Sequence, residues 1–409
     1  MTRPRSFWRV SAAEARAHAA IAAVVLWAVA FLLLTSGTRY RDPFGQLKWT
    51  DFVHFYTLGH VAREGPVSDL YDPEALHRRQ VSLVPASASE RYPPVYPPQM
   101  AILFAPLSGL GYLTAAAVWA VVSAGVYGAT IWIAWRPARA ALPDWVLVTA
   151  AAAAFPPFWS LILNGQTTAV PILAFSGAAM ALARGRKVLA GAALGVLLMK
   201  PQFGLMVALV VLVCREWSLL AGLAISAVAQ AGLVVMAFGA AVLQQYTRVV
   251  LRFPSLFAAF ESSPAQRHSL VVVTQLLPSP VSTVVWLATS AWATWLVIQV
   301  WRSTAIVNMR MAALIMGSVL LNLHLYLYDV SVLAVPLVWI AVWLETDAPV
   351  GSEVRARWYL ATYVLFICLL APPARIFWLP LSPFVVLWFL YSVARPDVLR
   401  SSKENPYGR

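Results

Sequence analysis

The sequence predicts an all-α polytopic membrane protein, and three observations predict it. Hydrophobic residues make up 60% of the 409 and charged residues 11%, with a mean hydropathy of +0.71. That is too little charge to cover a water-facing surface. Apolar stretches recur along the chain, and since ~20 such residues cross a ~30 Å bilayer core, the length accommodates about 11–12 transmembrane helices plus surface helices in the outer loops. The basic residues alternate from one side to the other as the spans are counted, which is the third observation. The chain therefore reads as one multi-span domain, 1–409, with outer loops at 37–97 and 238–270.

Arg3, Arg5, Arg9 and Arg16 precede an uncharged run from Ala19 to Leu34, which reads as a retained anchor with a cytoplasmic N-terminus. The first outer loop follows. The next apolar segment, 98–135, is too long for one straight span and predicts a short outer piece before Gly109-Leu110-Gly111. Single segments are then expected at 143–162, 168–183, 217–237, 281–301, 309–323, 330–344, 357–371 and 376–394. The segments 188–199 and 202–213 are short and flank Lys200-Pro201; proline breaks the helix ladder, so a tight outer hairpin or a re-entrant element fits. Pairing them leaves 18 of the 30 Lys and Arg residues on the cytoplasmic side. Seven of the other 12 lie in the first loop, and the short outer turns then carry only Lys200 and Arg375. Reading 188–213 as one span would instead move Arg302, Arg355 and Arg357 outside. Both termini are then cytoplasmic, in a bacterial inner membrane, the Ala-, Arg- and Trp-rich usage favouring a bacterial source.

The net charge of +13 is explained by cytoplasmic loops. No basic run is interleaved with aromatics in a soluble segment, so nucleic acid is not an expected partner. Cys214 and Cys368 lie in apolar segments and suggest neither a disulfide nor a metal site.

Of 17 carboxylates, Asp42, Asp51, Glu64, Asp69, Asp72, Glu74 and Glu90 all fall in the first loop. The topology places four polar groups on the same face: Asp51; Asn164-Gly165-Gln166; Lys200-Pro201-Gln202; and Asn322-x-His324 with Tyr328-Asp329. Polar groups at membrane depth are costly and tend to be functional. Asp51 is a candidate general base toward a sugar hydroxyl, the alternative being a helix N-cap or surface ion pair. Asp72, before Pro73, reads as a turn residue. Lys200 suits a phosphate as a point charge, or snorkels to headgroups. His324 is a candidate phosphate ligand or proton donor oriented by Asp329, or an interfacial residue. Asn164 and Gln166 read as sugar contacts or turn chemistry around Gly165. Tyr92 and Tyr96, in Tyr92-Pro93-Pro94-Val95-Tyr96-Pro97-Pro98, read as a substrate lining or an aromatic belt. Arg248, Arg252, Arg267 and His268 are further phosphate candidates. Pro254, Ser262, Ser263 and Pro264 predict irregular structure between them. No nucleotide loop, Ser-His-Asp order or metal-ligand cluster is evident.

The order of these motifs resembles glycosyltransferase family 87, the DUF2029 group that includes polyprenol-phosphate-mannose-dependent mannosyltransferases. The resemblance rests on Asp51 with Leu70-Tyr71-Asp72 behind it, Tyr-Pro-Pro before the second span and Asn164-Gly165-Gln166 after the third. Gly191-x-x-x-Gly195 leading to Lys200-Pro201, and Leu323-His324-Leu325-Tyr326-Leu327-Tyr328-Asp329, complete it. It covers about 20–395. Leu323-His324-Leu325 stands where some members carry Thr-His-His or Ser-Pro, a departure that bears on the sugar and the acceptor.

The resemblance implies a GT-C fold and an extracytoplasmic active site. It also implies a polyprenyl-phosphate sugar donor, with mannose as the expected sugar, and a lipid or glycan acceptor. It implies no cofactor or metal. Asp51 matches the family's base. Lys200, His324, Arg252 and Arg267 are assigned to the donor phosphate, and Asn164, Gln166, Tyr92, Tyr96, Tyr328 and Asp329 to sugar or acceptor. Inverting displacement is the expected outcome. A transporter of a lipid-linked sugar and a non-catalytic envelope assembly protein remain the competing readings; midplane sites in repeated halves would mark a transporter, and no repeat is seen.

Overall fold

The computed structural model describes residues 10–252, 267–275, 277–346, 352–370, 381–395 and 398. Arg3, Arg5, Arg9, Pro254, Glu261, Ser262, Ser263, Pro264, Arg375, Arg400, Lys403 and Arg409 lie outside the described residues. Among those described there are helices and two isolated β-bridges, and no strands. Five helices are long and apolar enough to cross a bilayer: Ala12–Thr35, Tyr112–Ala138, Trp217–Phe238, Val281–Arg302 and Leu327–Thr346. The protein is an all-α polytopic membrane protein, and shorter apolar helices at Ala169–Ala183, Lys187–Met199, Pro201–Val213, Val307–Leu321 and Ser382–Val393 occupy most of the remaining expected segments.

α1 (Ala12–Thr35) opens with a capping box, Ser11 and Glu14 each satisfying the other's backbone N–H. The first loop then folds as a helical layer, α2 (Phe52–Glu64) and α3 (Pro73–Leu83), closed by α4 (Gln99–Phe104). Phe52, Phe55, Leu58, Met100, Phe104, Tyr112 and Trp119 form its own apolar cluster. Gly59 allows α2 to touch α4, since a Cβ there would meet the Phe104 carbonyl oxygen at 2.4 Å. The expected outer piece of 98–135 is α4 with a short turn at Leu107–Gly109, and α5 (Tyr112–Trp135) follows Gly111.

The expected single span at 143–162 is instead two helices, α6 (Trp145–Ala153) and α7 (Pro156–Asn164), bent by 50°. Pro156 and Pro157 have no N–H for the carbonyls four residues earlier, those of Ala152 and Ala153. The Tyr127 hydroxyl donates to the first at 2.9 Å and the Trp27 indole to the second at 2.9 Å. Replacement donors of this kind make a helix break tolerable at membrane depth.

α8 (Ala169–Ala183) leads to α9 (Lys187–Gly195), which passes through 3₁₀ turns at Val196–Met199 and Pro201–Phe203 into α10 (Gly204–Val213). α11 (Trp217–Phe238) follows, and Lys187 Nζ meets Glu216 Oε2 at 2.9 Å. The chain thus leaves at Lys187 and returns at Glu216, so Lys200 is the tip of a hairpin, as the charge count requires. Each arm has about 13 residues, roughly 20 Å of helix, which is shorter than a bilayer core. α9 and α11 pack backbone to backbone: a Cβ on Gly222 would meet the Val188 carbonyl at 2.0 Å and one on Gly191 the Leu219 carbonyl at 2.1 Å. Small residues at such seams permit close helix association in lipid.

The loop expected at 238–270 begins with α12 (Ala241–Leu251), and its described part resumes at Arg267, before α13 (Leu270–Thr274). α14 (Val281–Arg302), α15 (Val307–Leu321), α16 (Ala334–Thr346), α17 (Ser352–Leu370) and α18 (Ser382–Val393) complete the bundle. α15 is buried along nearly its whole length and forms the centre of the large apolar core.

Candidate functional site

Asp51 is presented by a strained turn. Trp49 has φ 55, a left-handed conformation that side chains other than glycine rarely adopt. The Tyr112 hydroxyl donates to the carbonyls on either side of that strain, Lys48 O at 2.7 Å and Trp49 O at 2.9 Å. Such strain persists where surrounding structure over-determines it. Asp51 then stands at the N-cap position of α2 without capping it. Its Oδ2 accepts from Gln166 Nε2 at 2.9 Å instead. Asp72 behaves differently: its side chain accepts from Glu74 N and Ala75 N and caps α3, with Pro73 at the first position.

The proline-aromatic run wraps this corner. Tyr92 donates to the Thr50 carbonyl at 2.6 Å, and Tyr96 packs edge-on to Phe55 at 4.8 Å. Both rings stand against His54, at 5.3 and 5.6 Å. Burial pushes His54 down to about 4, leaving a neutral imidazole whose Nε2 has no partner among the described residues.

The opposite wall is the turn after α7. Gly165 has φ 65, and the bonds Gln166 N to Leu161 O and Gly165 N to Ile162 O make a Schellman motif. A Cβ on Gly165 would meet Phe52 Cβ at 2.6 Å, so this turn presses directly on the residue after Asp51. Gln166 Oε1 accepts from Thr167 N at 3.1 Å, which leaves its amide NH₂ to face Asp51. Asn164 turns inward to its own helix, donating to Ser160 O at 2.8 Å.

Two residues on, Thr168 joins a buried ion pair. Lys200 Nζ donates to Asp329 Oδ1 and to Thr168 Oγ1, the latter at 2.9 Å; Thr168 Oγ1 donates to Asp329 Oδ1 at 2.8 Å. Nζ also lies over the Tyr328 ring, 5.3 Å from its centroid. Thr168, Lys200 and Asp329 are 0%, 2% and 0% exposed. Asp329 Oδ2 has no hydrogen-bond partner among the described residues. Lys200 was expected to hold a phosphate or snorkel to headgroups, and Asp329 to orient His324; in the structure the two are bound to each other. The reason is electrostatic, since a lysine tip at this depth needs a counter-charge.

His324 lies beside them with its ring edge-on to Tyr326 at 4.6 Å. Burial first, then the positive fields of Arg267 and Lys200, push it down to about 3, so it is a neutral hydrogen-bonding group. The second loop docks here: Arg267 bridges to Tyr326, His268 N donates to Leu325 O at 2.7 Å, and the Arg267 guanidinium donates to Gln275 Oε1 at 3.1 Å. Arg252 is elsewhere, exposed at the end of α12, which packs on α11 and on Val67–Tyr71.

Asp51 feels the whole cluster. Enclosure pushes its carboxyl up from 3.8 to about 6; the Gln166 hydrogen bond and Lys200 pull it back, while Asp329 and Glu90 push it further up. A half-buried carboxylate of this kind is ionised at neutral pH and more basic than an ordinary one. Sequence reasoning missed Thr168, which joins the two halves of the site, and Trp49, which aims Asp51. The signal for the first was a pair of hydroxyl residues, Thr167-Thr168, between Gln166 and an apolar helix.

Residues 95–269 match glycosyltransferase family 87. That is the family the order of the motifs resembles. The matched stretch is just under half of the 409 residues. It takes in Tyr96, Asn164 to Thr168, Lys200, Arg252 and Arg267, while Asp51, His324 and Asp329 come from outside it. The matched family is one of glycosyltransferases, enzymes that take a sugar donor and an acceptor. No curated protein and no solved structure gives a match.

Proposed function

We propose that this glycosyltransferase moves a hexose, with mannose the first expectation, from a polyprenyl-phosphate donor to a hydroxyl of a lipid or glycan. The reaction takes place on the extracytoplasmic face of a bacterial inner membrane with both chain termini inside. The observation that carries the reading is the hydrogen bond of Gln166 to Asp51: a carboxylate at a helix start that caps nothing is held by a side chain instead.

In this reading Asp51 accepts the proton of the acceptor hydroxyl as its oxygen bonds to the anomeric carbon. The bond from that carbon to the phosphate oxygen breaks, and the phosphate leaves with the electron pair from the opposite face, inverting the centre. Arg267, with the neutral His324 as a hydrogen-bond donor, faces the departing phosphate, and Arg252 meets the donor at the loop. The ammonium of Lys200 contributes positive potential from below, since its own donors are engaged. Tyr92, Tyr96, Asn164, Gln166, Tyr328 and Asp329 surround the sugar and the acceptor.

The test is transfer from a synthetic polyprenyl-phosphate mannose to membrane lipid extract by protein in nanodiscs, with Asp51→Asn alongside. Transfer that the variant loses supports the enzyme and the base together. Transfer that survives removes Asp51 from the mechanism, and movement of the lipid-linked sugar without transfer favours a transporter.

A further inference from the structure

The amide that holds Asp51 belongs to Gln166, and two residues later the same turn ends in Thr168, whose hydroxyl is fixed between Lys200 and Asp329. Three separate parts of the chain meet at that hydroxyl: the turn before α8, the hairpin tip and the 3₁₀ segment Leu327–Leu333. Lys200 has three N–H bonds. Two point to Thr168 and Asp329, and the ammonium sits over the Tyr328 ring. It has no donor to spare for a ligand unless one of those contacts opens. The pair is also electrically closed, one positive charge against one negative, both sealed from solvent.

We propose that Thr168, Lys200 and Asp329 are a positioning unit for Asp51. Through Thr168 the unit fixes the turn that presents Gln166, and by its internal neutrality it keeps either charge from biasing the base. This rests on the reading of Asp51 as the base, and deepens it: Lys200 and Asp329 then act through Asp51 as well as through any contact with substrate. The other charged or titratable groups around Asp51 are Glu90, Tyr92, Tyr96, Tyr112 and Tyr328. None of them carries a cation that could replace Lys200.

The consequence has a sign. Removing the carboxylate with Asp329→Asn leaves Lys200 uncompensated, which favours ionised Asp51 and moves its titration to lower pH. Removing the ammonium with Lys200→Met leaves Asp329 uncompensated and moves it to higher pH. Each shift is on the order of one pH unit. The double variant K200M/D329L removes both charges and returns the midpoint toward that of the unmodified protein. Thr168→Val keeps both charges but frees the turn that presents Gln166, so it moves the midpoint upward, the direction expected of a weakened Gln166 bond, while lowering transfer.

The full-length protein in nanodiscs is treated with a carbodiimide, which labels protonated carboxyls, from pH 4 to 9, and the Asp51 peptide is quantified by mass spectrometry. The acid limb of transfer is measured in parallel. Opposite shifts in the single variants and recovery in the double support the proposal. Equal shifts in one direction, or unmoved midpoints with only lowered thermal stability, overturn it. Should a single variant fail to fold, the double and T168V against the unmodified protein still decide: a strongly displaced midpoint in the double, or an unmoved midpoint with unchanged transfer in T168V, overturns the unit. Because labelling needs no turnover, shifts seen without any sugar transfer would keep the positioning unit and remove the transferase reading instead.

Discussion

Gln166 Nε2 and Asp51 Oδ2 stand 2.9 Å apart across 115 residues of sequence. The bond favours the ionised carboxylate, and it is the second-largest influence on Asp51 after enclosure. Gln166→Leu is expected to raise the acid limb of activity above its position in the unmodified protein, because the influence lost is one that lowers the pKa. A pH profile of kcat/KM that does not move, or moves down, would contradict this.

The unmodified protein should lose activity as pH falls through about 6, since a protonated Asp51 cannot accept the acceptor's proton. The stability sign is opposite. The folded carboxyl is raised from 3.8 to about 6, so the folded state binds the proton more tightly than the unfolded state does. This group's contribution therefore falls as pH rises across that window and is flat above it. Thermal unfolding and initial rates, followed together from pH 4.5 to 8, should diverge.

Asp51→Asn is expected to reduce transfer by roughly 10²–10⁴-fold. Since Asp51 makes no capping bond, the change should leave the melting temperature unchanged or raise it slightly. A large drop in melting temperature would mean that Asp51 is structural.

Gly165→Ala combines a left-handed backbone with a Cβ placed 2.6 Å from Phe52 Cβ. The expected cost is about 1–3 kcal/mol. Because the contact is with the residue following Asp51, activity should fall at temperatures where the protein is still folded. Activity matching that of the unmodified protein would show that the turn can move away from Phe52 without disturbing the base.

Tyr112→Phe removes the donor shared by Lys48 O and Trp49 O. A loss of about 1 kcal/mol is expected, together with a lower kcat, because the left-handed Trp49 is what aims Asp51. A change in melting temperature with no change in kcat would separate the turn from catalysis.

The all-α membrane class was legible in the sequence because hydropathy reports directly on the bilayer, although among the described residues five of the expected spans, about 11–12, are single helices long enough to cross it. The turn at Lys200-Pro201 was legible from the proline and the shortness of the two flanking apolar segments, which fit a tight hairpin or a re-entrant element. The bend at Pro156-Pro157 was not foreseen, although both prolines were in view: the sequence does not reveal that Tyr127 and Trp27 supply the missing donors. At the site, the residue types were legible and their partners were not. Asp51 was singled out for its setting, but its partner Gln166 lies 115 residues away, on a turn that depends on the left-handed Gly165. The pairing of Lys200 with Asp329 is a contact across 129 residues, and no local pattern announces it.

That separation also has a meaning in time. At synthesis rates of ~5–20 residues per second, on the order of ten seconds elapse between the making of Lys200 and of its counter-ion, 129 residues later. During that interval the ammonium has no Asp329 to neutralise it. A hairpin with arms shorter than a bilayer core, ending in proline, suits such a wait, because its tip can rest among headgroups until Leu327–Thr346 arrives. The lysine's counter-charge therefore comes with Leu327–Leu333, so the ion pair can close only once residue 329 has been made, well after Asp51.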